Sequence, residues 1–213
     1  MKPPQLSFTV PVHTRPIPCH NKRSMATQPE SRFTFEQYLE LEQQAEYKSE
    51  YHDGFIVAMS GGTGTHSRLA ARIIALLERQ LGERCFVYDS NLKLFVSAVN
   101  RAFYPDAMVA CEQPVFQDPK ETVLLNPTLV VEILSPSTET FDTGDKSSFY
   151  RRVSSLDHIL LIAQDRLDVE YFSRIDAANW RSTRYTDPAA SLPFVEISLR
   201  DIYRGILELS RPD

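Results

Sequence analysis

No CxxC pair occurs among the three cysteines, Cys19, Cys85 and Cys111. Neither a thiolate metal site nor an even disulfide framework is expected, and reduced thiols in a cytoplasmic protein are the simple reading. No apolar run reaches the roughly 18 residues that a membrane-spanning helix needs. The N-terminus has no continuous apolar core of a secretory signal. The expectation is a soluble intracellular protein with no membrane partner. Excess positive charge is missing too: 23 Lys and Arg stand against 28 Asp and Glu, a net charge of −5. That balance argues against a surface that coats nucleic acid broadly, but it leaves room for a local basic groove.

Two further absences remove whole classes of chemistry. The glycine-rich GGTGTH, Gly61 to His66, precedes a helical pattern but lacks the Gly-Lys-Ser/Thr ending of a phosphate loop and the spacing of a dinucleotide fingerprint. No GxSxG elbow occurs, and Ser135 of SPST follows a strand rather than standing on a strand-to-helix turn, so serine-hydrolase chemistry fits poorly. Internal repeats are absent.

What is present is enough apolar sequence, 42% of 213 residues, for one sizeable core. Residues 1–31 cluster Pro3, Pro4, Pro11, Pro16, Pro18 and Pro29 between basic residues and read as a disordered extension, with Met25 a candidate start codon. The ordered domain is expected over 32–208, followed by a tail at 209–213.

Thr34 and Gln37 form a capping-box pattern that opens a helix to about residue 46. Asp53-Gly54 between two β-prone runs predicts a hairpin, with Glu50 on its first strand. Leu69, Ile73, Leu76, Leu77 and Leu81 fall at helical spacing over about 65–81. Strands are expected near 85–88, 92–96, 105–111, 128–134 and 158–163, a short helix over 142–153, and a closing antiparallel pair in VEYFSR and NWRSTRY. This order predicts an α/β domain with a mixed sheet.

The chemistry centres on an anomaly in VVEILSPST. Val130, Val131, Ile133 and Leu134 read as a strand covered on both faces, yet Glu132 stands in its middle. A buried carboxylate needs a partner, a shifted pKa or a metal. Asp106, in YPDAMVA, belongs to a second apolar strand. If the strands are neighbours, both acids can enter one cleft and offer Mg²⁺ the two hard oxygen ligands it commonly takes from protein. The competing reading pairs Glu132 with an internal Arg or Lys and leaves Asp106 to shape a turn.

A cation near the scissile phosphate would help such chemistry, and Lys146 and Lys93 are the candidates. Lys146 and Tyr150 share a helix face just beyond the Glu132 strand. His66 reads either as a hydrogen-bonded core histidine or as a substrate contact near the acids. Glu50 reads either as an exposed hairpin charge or as a third acid.

Six segments in order, EYHDGFIVAMSGG, THSRLAARI, YPDAMVAC, LNPTLVVEILSPSTE, DTGDKSSFYR and HILLIAQD, resemble the Uma-two family of restriction endonucleases within the PD-(D/E)XK nuclease superfamily. The resemblance runs from about residue 32 to 208. It implies a restriction-endonuclease-like central mixed sheet flanked by helices, and Mg²⁺-dependent phosphodiester cleavage in which Mn²⁺ is a possible substitute ion. It also implies Asp106, Glu132 and the Ile133 carbonyl as metal ligands, DNA as the nucleic-acid partner, and a homodimer by analogy. One departure stands out: the superfamily's E-x-K ends here in Leu134. A catalytic lysine migrated to Lys146 is the preferred reading, and a nuclease-derived accessory protein that does not cut is the alternative. Glu50 and His66 match recurring family positions.

Overall fold

A computed structural model of the chain describes residues 32–135 and 139–207. The expected N-terminal extension, with Cys19 and Met25, and the tail 209–213 lie outside the described residues.

The strands in chain order are β1 (Ser49–His52), β2 (Phe55–Ala58), β3 (Phe86–Asp89), β4 (Lys93–Val96), β5 (Arg101–Phe103), β6 (Ala107–Ala110) and β7 (Val123–Leu124). There follow β8 (Leu129–Leu134), β9 (His158–Ala163), β10 (Val169–Arg174), β11 (Trp180–Tyr185), β12 (Ser191–Leu192) and β13 (Ile197–Ser198). The helices are α1 (Phe35–Glu42), α2 (Gly64–Leu81), α3 (Glu139–Phe141), α4 (Ser147–Tyr150) and α5 (Leu199–Tyr203), with a π turn over Asp142–Lys146 joining α3 to α4.

Local chemistry explains the early elements. The Thr34 hydroxyl accepts from the Gln37 amide at 3.2 Å, and the Gln37 side chain accepts from the Thr34 amide at 2.8 Å, which starts α1. α1 ends sooner than residue 46, because 43–47 are exposed and offer no apolar face to hold another turn. Asp53 at φ 48° and Gly54 at φ 97° close the β1–β2 hairpin in the left-handed region that a tight two-residue turn requires.

The strands form two principal sheets where one mixed sheet was expected. A six-stranded sheet has the order β11-β10-β9-β8-β6-β3 and is mixed, β8 and β9 running parallel. A five-stranded sheet has the order β2-β1-β5-β4-β7. The three-residue β5, too short to register as a strand in the sequence, pairs antiparallel with both β1 and β4 and so draws the hairpin into this second layer.

Strand β8 shows how the layers stack. Leu129, Val131 and Ile133 face α2, whose Leu69, Ile73, Leu76, Leu77 and Leu81 are buried against them. Each such leucine or isoleucine contributes about 1.5–3 kcal/mol through burial. Val130 and Leu134 face the other way, packing with Leu94, Val96 and Phe103 of the five-stranded sheet. Glu132 alternates with them and therefore projects between the sheets. On the far side of the five-stranded sheet, Phe35 and Tyr38 of α1 pack with Tyr51, Ala102 and Val123.

The cysteine reading needs correction. Cys85 and Cys111 are joined by a disulfide. Phe86 pairs with Ala110 in the antiparallel β3–β6 ladder, so the next residues outward stand opposite each other. Among the described residues no helix is long and apolar enough to cross a membrane.

Candidate active site

Ala107 of β6 lies opposite Val131 of β8, which brings Asp106, just ahead of β6, beside Glu132. The two acids thus come from adjacent strands. Asp106 also has a local task. The ladder to β6 ends at Val131, so the Ile133 amide has no strand partner on that side, and Asp106 Oδ2 accepts its hydrogen bond at 2.7 Å. Because a strand residue points its N–H and C=O to the same side, the Ile133 carbonyl also faces Asp106. The C=O of Leu134 faces the opposite strand, β9, and accepts from the Gln164 amide.

Glu132 is only 4% exposed. Its Oε1 accepts from the Tyr150 hydroxyl at 2.5 Å and stands 3.0 Å from the Lys146 ammonium. Lys146 also reaches Glu50 at 3.4 Å and Asp142 at 3.8 Å. The π turn carries both Asp142 and Lys146 inward, and both are buried. Such insertions into helices recur at functional sites because the extra residue re-aims the side chains around it. The Lys146 ammonium lies on the inter-sheet face that Glu132 and Leu134 share. It therefore approaches from a helix the place that a lysine at position 134 would approach from the strand.

Burial pushes the Glu132 carboxyl up to about 8 against the pull of Lys146, and the neighbouring Asp106 and Asp142 charges add to the rise. Lys146 moves upward as well: burial alone would lower it, but Glu132, Glu50 and Asp142 hold its proton. Glu50 is buried rather than an exposed hairpin charge. Burial would raise its carboxyl, yet a His52 contact at 3.0 Å and Lys146 outweigh that and hold it below the ordinary range.

His66, in the first turn of α2, is half-buried and sits with Nε2 3.3 Å from Asp106 Oδ2. It is no core histidine. The Asp106 contact holds its pKa above the usual value, against the opposing effect of burial. The GGTGT segment that delivers it is anchored where Thr63 donates to the Gln164 side chain at 2.8 Å. Glu50, His52, His66, Asp106, Glu132 and Lys146 all border one cleft of about 950 Å³.

Lys93 does not join them. Among the described residues its ammonium makes no ion pair with the four acids, and it lies instead over the Tyr104 ring. Asp142 and His52 are the members that sequence reading missed. His52 was accessible, because residues two apart on a strand share a face and Glu50 was already a candidate. Asp142 was hidden by the π turn, which changes the register of DTGDK.

The donor set fits a divalent cation. Four carboxylates, Glu50, Asp106, Glu132 and Asp142, face one lysine and two histidines, so the cluster is rich in negative charge. Among the described residues no three acid or histidine side chains form a ready-made metal cage. Mg²⁺ does not require one, since it takes one or two carboxylates and keeps waters. The contacts to Asp106 fall on Oδ2 and those to Glu132 on Oε1, which leaves Oδ1, Oε2 and the Ile133 carbonyl as the candidate donors.

Residues 35–201 match the family Uma2, described as "Putative restriction endonuclease". Two proteins of Synechocystis sp. (strain ATCC 27184 / PCC 6803 / Kazusa) are similar over most of their length. "Uncharacterized protein sll1609" is 34% identical over 162 residues, 76% of this chain and 92% of that one. "Uncharacterized protein slr1290" is 33% identical over 176 residues, 80% of this chain and 91% of that one. A crystal structure of "a putative nuclease belonging to DUF820" from Anabaena variabilis ATCC 29413 superposes with a TM-score of 0.66 at 20% identity, covering 82% of this chain and 99% of that one. The fold is α/β and restriction-endonuclease-like.

Proposed function

Because the chain belongs to the Uma2 family, we propose that it is a Mg²⁺-dependent endonuclease that hydrolyses phosphodiester bonds in DNA, with Mn²⁺ as a possible substitute ion. The observation that carries this reading is the Lys146 ammonium 3.0 Å from Glu132, supplied by a helical turn where the strand's own third position is Leu134.

Asp106, Glu132 and the Ile133 carbonyl would hold the ion. When bound, it would supply Lewis-acid polarisation of the phosphate and a more acidic water. The protein's own contributions are more specific. Lys146, its proton held by three acids, serves as a fixed cation that orients the attacking water and steadies charge developing on the phosphorus centre. Tyr150 and Glu50 hold Glu132 and Lys146 in register. His66, anchored on Asp106 and open to the cleft, contacts the substrate phosphate.

Purified protein incubated with plasmid, linear and single-stranded DNA in Mg²⁺ or Mn²⁺ tests the proposal. Asp106→Ala and Glu132→Ala should abolish cleavage, and Lys146→Ala should slow it by about a hundredfold or more. Cleavage that persists unchanged in all three variants would defeat the assignment. Leu134 favours a second reading, a nuclease-derived protein that binds nucleic acid without cutting. Metal-dependent DNA binding with no product under any condition would select it.

A further inference from the structure

His66 and Lys146 reach the acids from separate segments, the first turn of α2 and the π turn, and both segments are tied to one loop. That loop, residues 164–168, joins β9 to β10. It is itself firmly held. The Ala163 amide donates to the Asp168 carbonyl at 3.0 Å across its base, and the buried Tyr203 hydroxyl lies 2.8 Å from the Ala163 carbonyl and 2.9 Å from that of Asp168. The Gln164 amide donates to the Leu134 carbonyl at 3.2 Å, which fixes the loop to the end of the Glu132 strand.

Gln164 constrains the first segment. It is 6% exposed, and its Oε1 accepts the Thr63 hydroxyl proton at 2.8 Å. With that proton committed, the Thr63 oxygen presents a lone pair to the His66 amide, which donates to it at 3.1 Å and so starts α2. The capped amide belongs to His66 itself, so the direction of the cap bears on where the ring lies relative to Asp106.

Arg166 constrains the second. Its guanidinium pairs with Glu139, the first residue of α3, with Asp165 at 3.0 Å and with Asp168 at 3.2 Å. A single exposed pair would hold little, but Asp168 is buried and is gripped by Arg184 as well, so the charges act as a network. Burial adds little at α3: none of its three residues is buried, and a cavity of about 220 Å³ separates Glu139 and Thr143 from Leu134 and Leu161. From Glu139 the constraint passes along the chain, because the Thr143 hydroxyl donates to the Glu139 carbonyl at 2.7 Å and the Ser147 hydroxyl donates to the Thr143 carbonyl at 2.8 Å. Lys146 lies within that span.

We propose that Gln164 and Arg166 are positioning residues that set His66 and Lys146 against Asp106 and Glu132, so that one loop aligns both basic groups of the cleft. The roles given to His66 and Lys146 rest on the nuclease reading; their linkage to the loop does not.

Residue-resolved amide hydrogen exchange on the full chain, with cleavage kinetics beside it, tests the proposal. Gln164→Leu should speed exchange at His66 and Ser67 by about tenfold while leaving Leu76 and Leu77 unchanged. Thr63→Val should do the same from an exposed position, which keeps the test valid should Gln164→Leu fail to fold. Arg166→Leu and Glu139→Gln should each speed exchange over 143–147 and leave α2 alone, and Arg166→Lys should restore most of the protection. In cleavage the same variants should lower kcat by about tenfold or more and change KM less, since a misplaced group costs rate above all. Unchanged exchange in both segments would overturn the proposal. So would faster exchange spread evenly over the whole domain, or local gains accompanied by wild-type kcat and KM. If wild type cuts no nucleic acid yet exchange changes locally as stated, the loop's positioning role stands and the nuclease reading falls.

Discussion

Lys146 and Lys93 are buried to nearly the same extent, 6% and 7% exposed, yet their surroundings differ. Lys146 stands among Glu132, Glu50 and Asp142, which hold its proton so firmly that it cannot act as a base. Lys93 lies over an aromatic ring, and its burial, with Lys48 nearby, outweighs the charges of Glu42 and Asp118, so its proton is held less firmly than usual. Burial alone thus says little about what a lysine does. What decides is whether acids stand in direct contact and outweigh burial, as they do at Lys146, or act from further away and do not, as at Lys93.

The largest test of that contrast is Lys146→Met. Removing one member of a buried ionic cluster leaves the others uncompensated, a loss of about 3–5 kcal/mol. Urea unfolding in chelator should show it, and Mg²⁺ should recover stability in the variant by more than in wild type, since the ion takes over part of the missing charge. A loss no larger than that of an ordinary surface substitution, about 0.5 kcal/mol, would mean that the acids do not depend on this lysine. Tyr150→Phe probes the same cluster more gently. It removes one hydrogen bond to Glu132 without opening a cavity and should cost about 1.5–3 kcal/mol. If the variant unfolds at the same urea concentration as wild type, Tyr150 contributes packing only.

How much of this could be read from the chain follows from which signals are local. The Asp106–Glu132 pair was legible because a charge inside VVEIL demands a reason, and because apolar strands of similar length tend to pair. The hairpin was legible because Asp53-Gly54 encodes its turn in two residues. β5 was not, since three residues carry no period, and with it went the second sheet and the buried position of Glu50. The Cys85–Cys111 bond depends on the register of β3 against β6, which no local pattern encodes. Asp142 escaped for a related reason. In an unbroken α-helix the spacing of DTGDK would be read at 3.6 residues per turn, whereas the π turn changes which acids face inward.

The smallest and most discriminating test concerns Lys93 and pH. Its folded-state pKa lies below the unfolded value near 10.5, so the native state sheds this proton first. Stability from that group is therefore present above pH 10.5 and is lost as pH falls through the window beneath it, where the native protein must carry a buried charge that Glu42 and Asp118 offset only in part. Lys93→Met keeps the length of the side chain and removes the charge. Below the window it should be as stable as wild type or more stable by up to about 1 kcal/mol, and the advantage should vanish as pH approaches 10.5. Lys146 moves the other way: its contribution is intact below pH 10.5, and in Lys146→Met the deficit should grow as pH rises above 8, because the Glu132 carboxyl loses the cation that eases its ionisation. Chemical denaturation of the two variants and wild type at several pH values from 8 to 10.5 compares the trends directly. If the difference between Lys93→Met and wild type does not depend on pH, a partner already neutralises Lys93 in the native protein, and the contrast between the two lysines collapses.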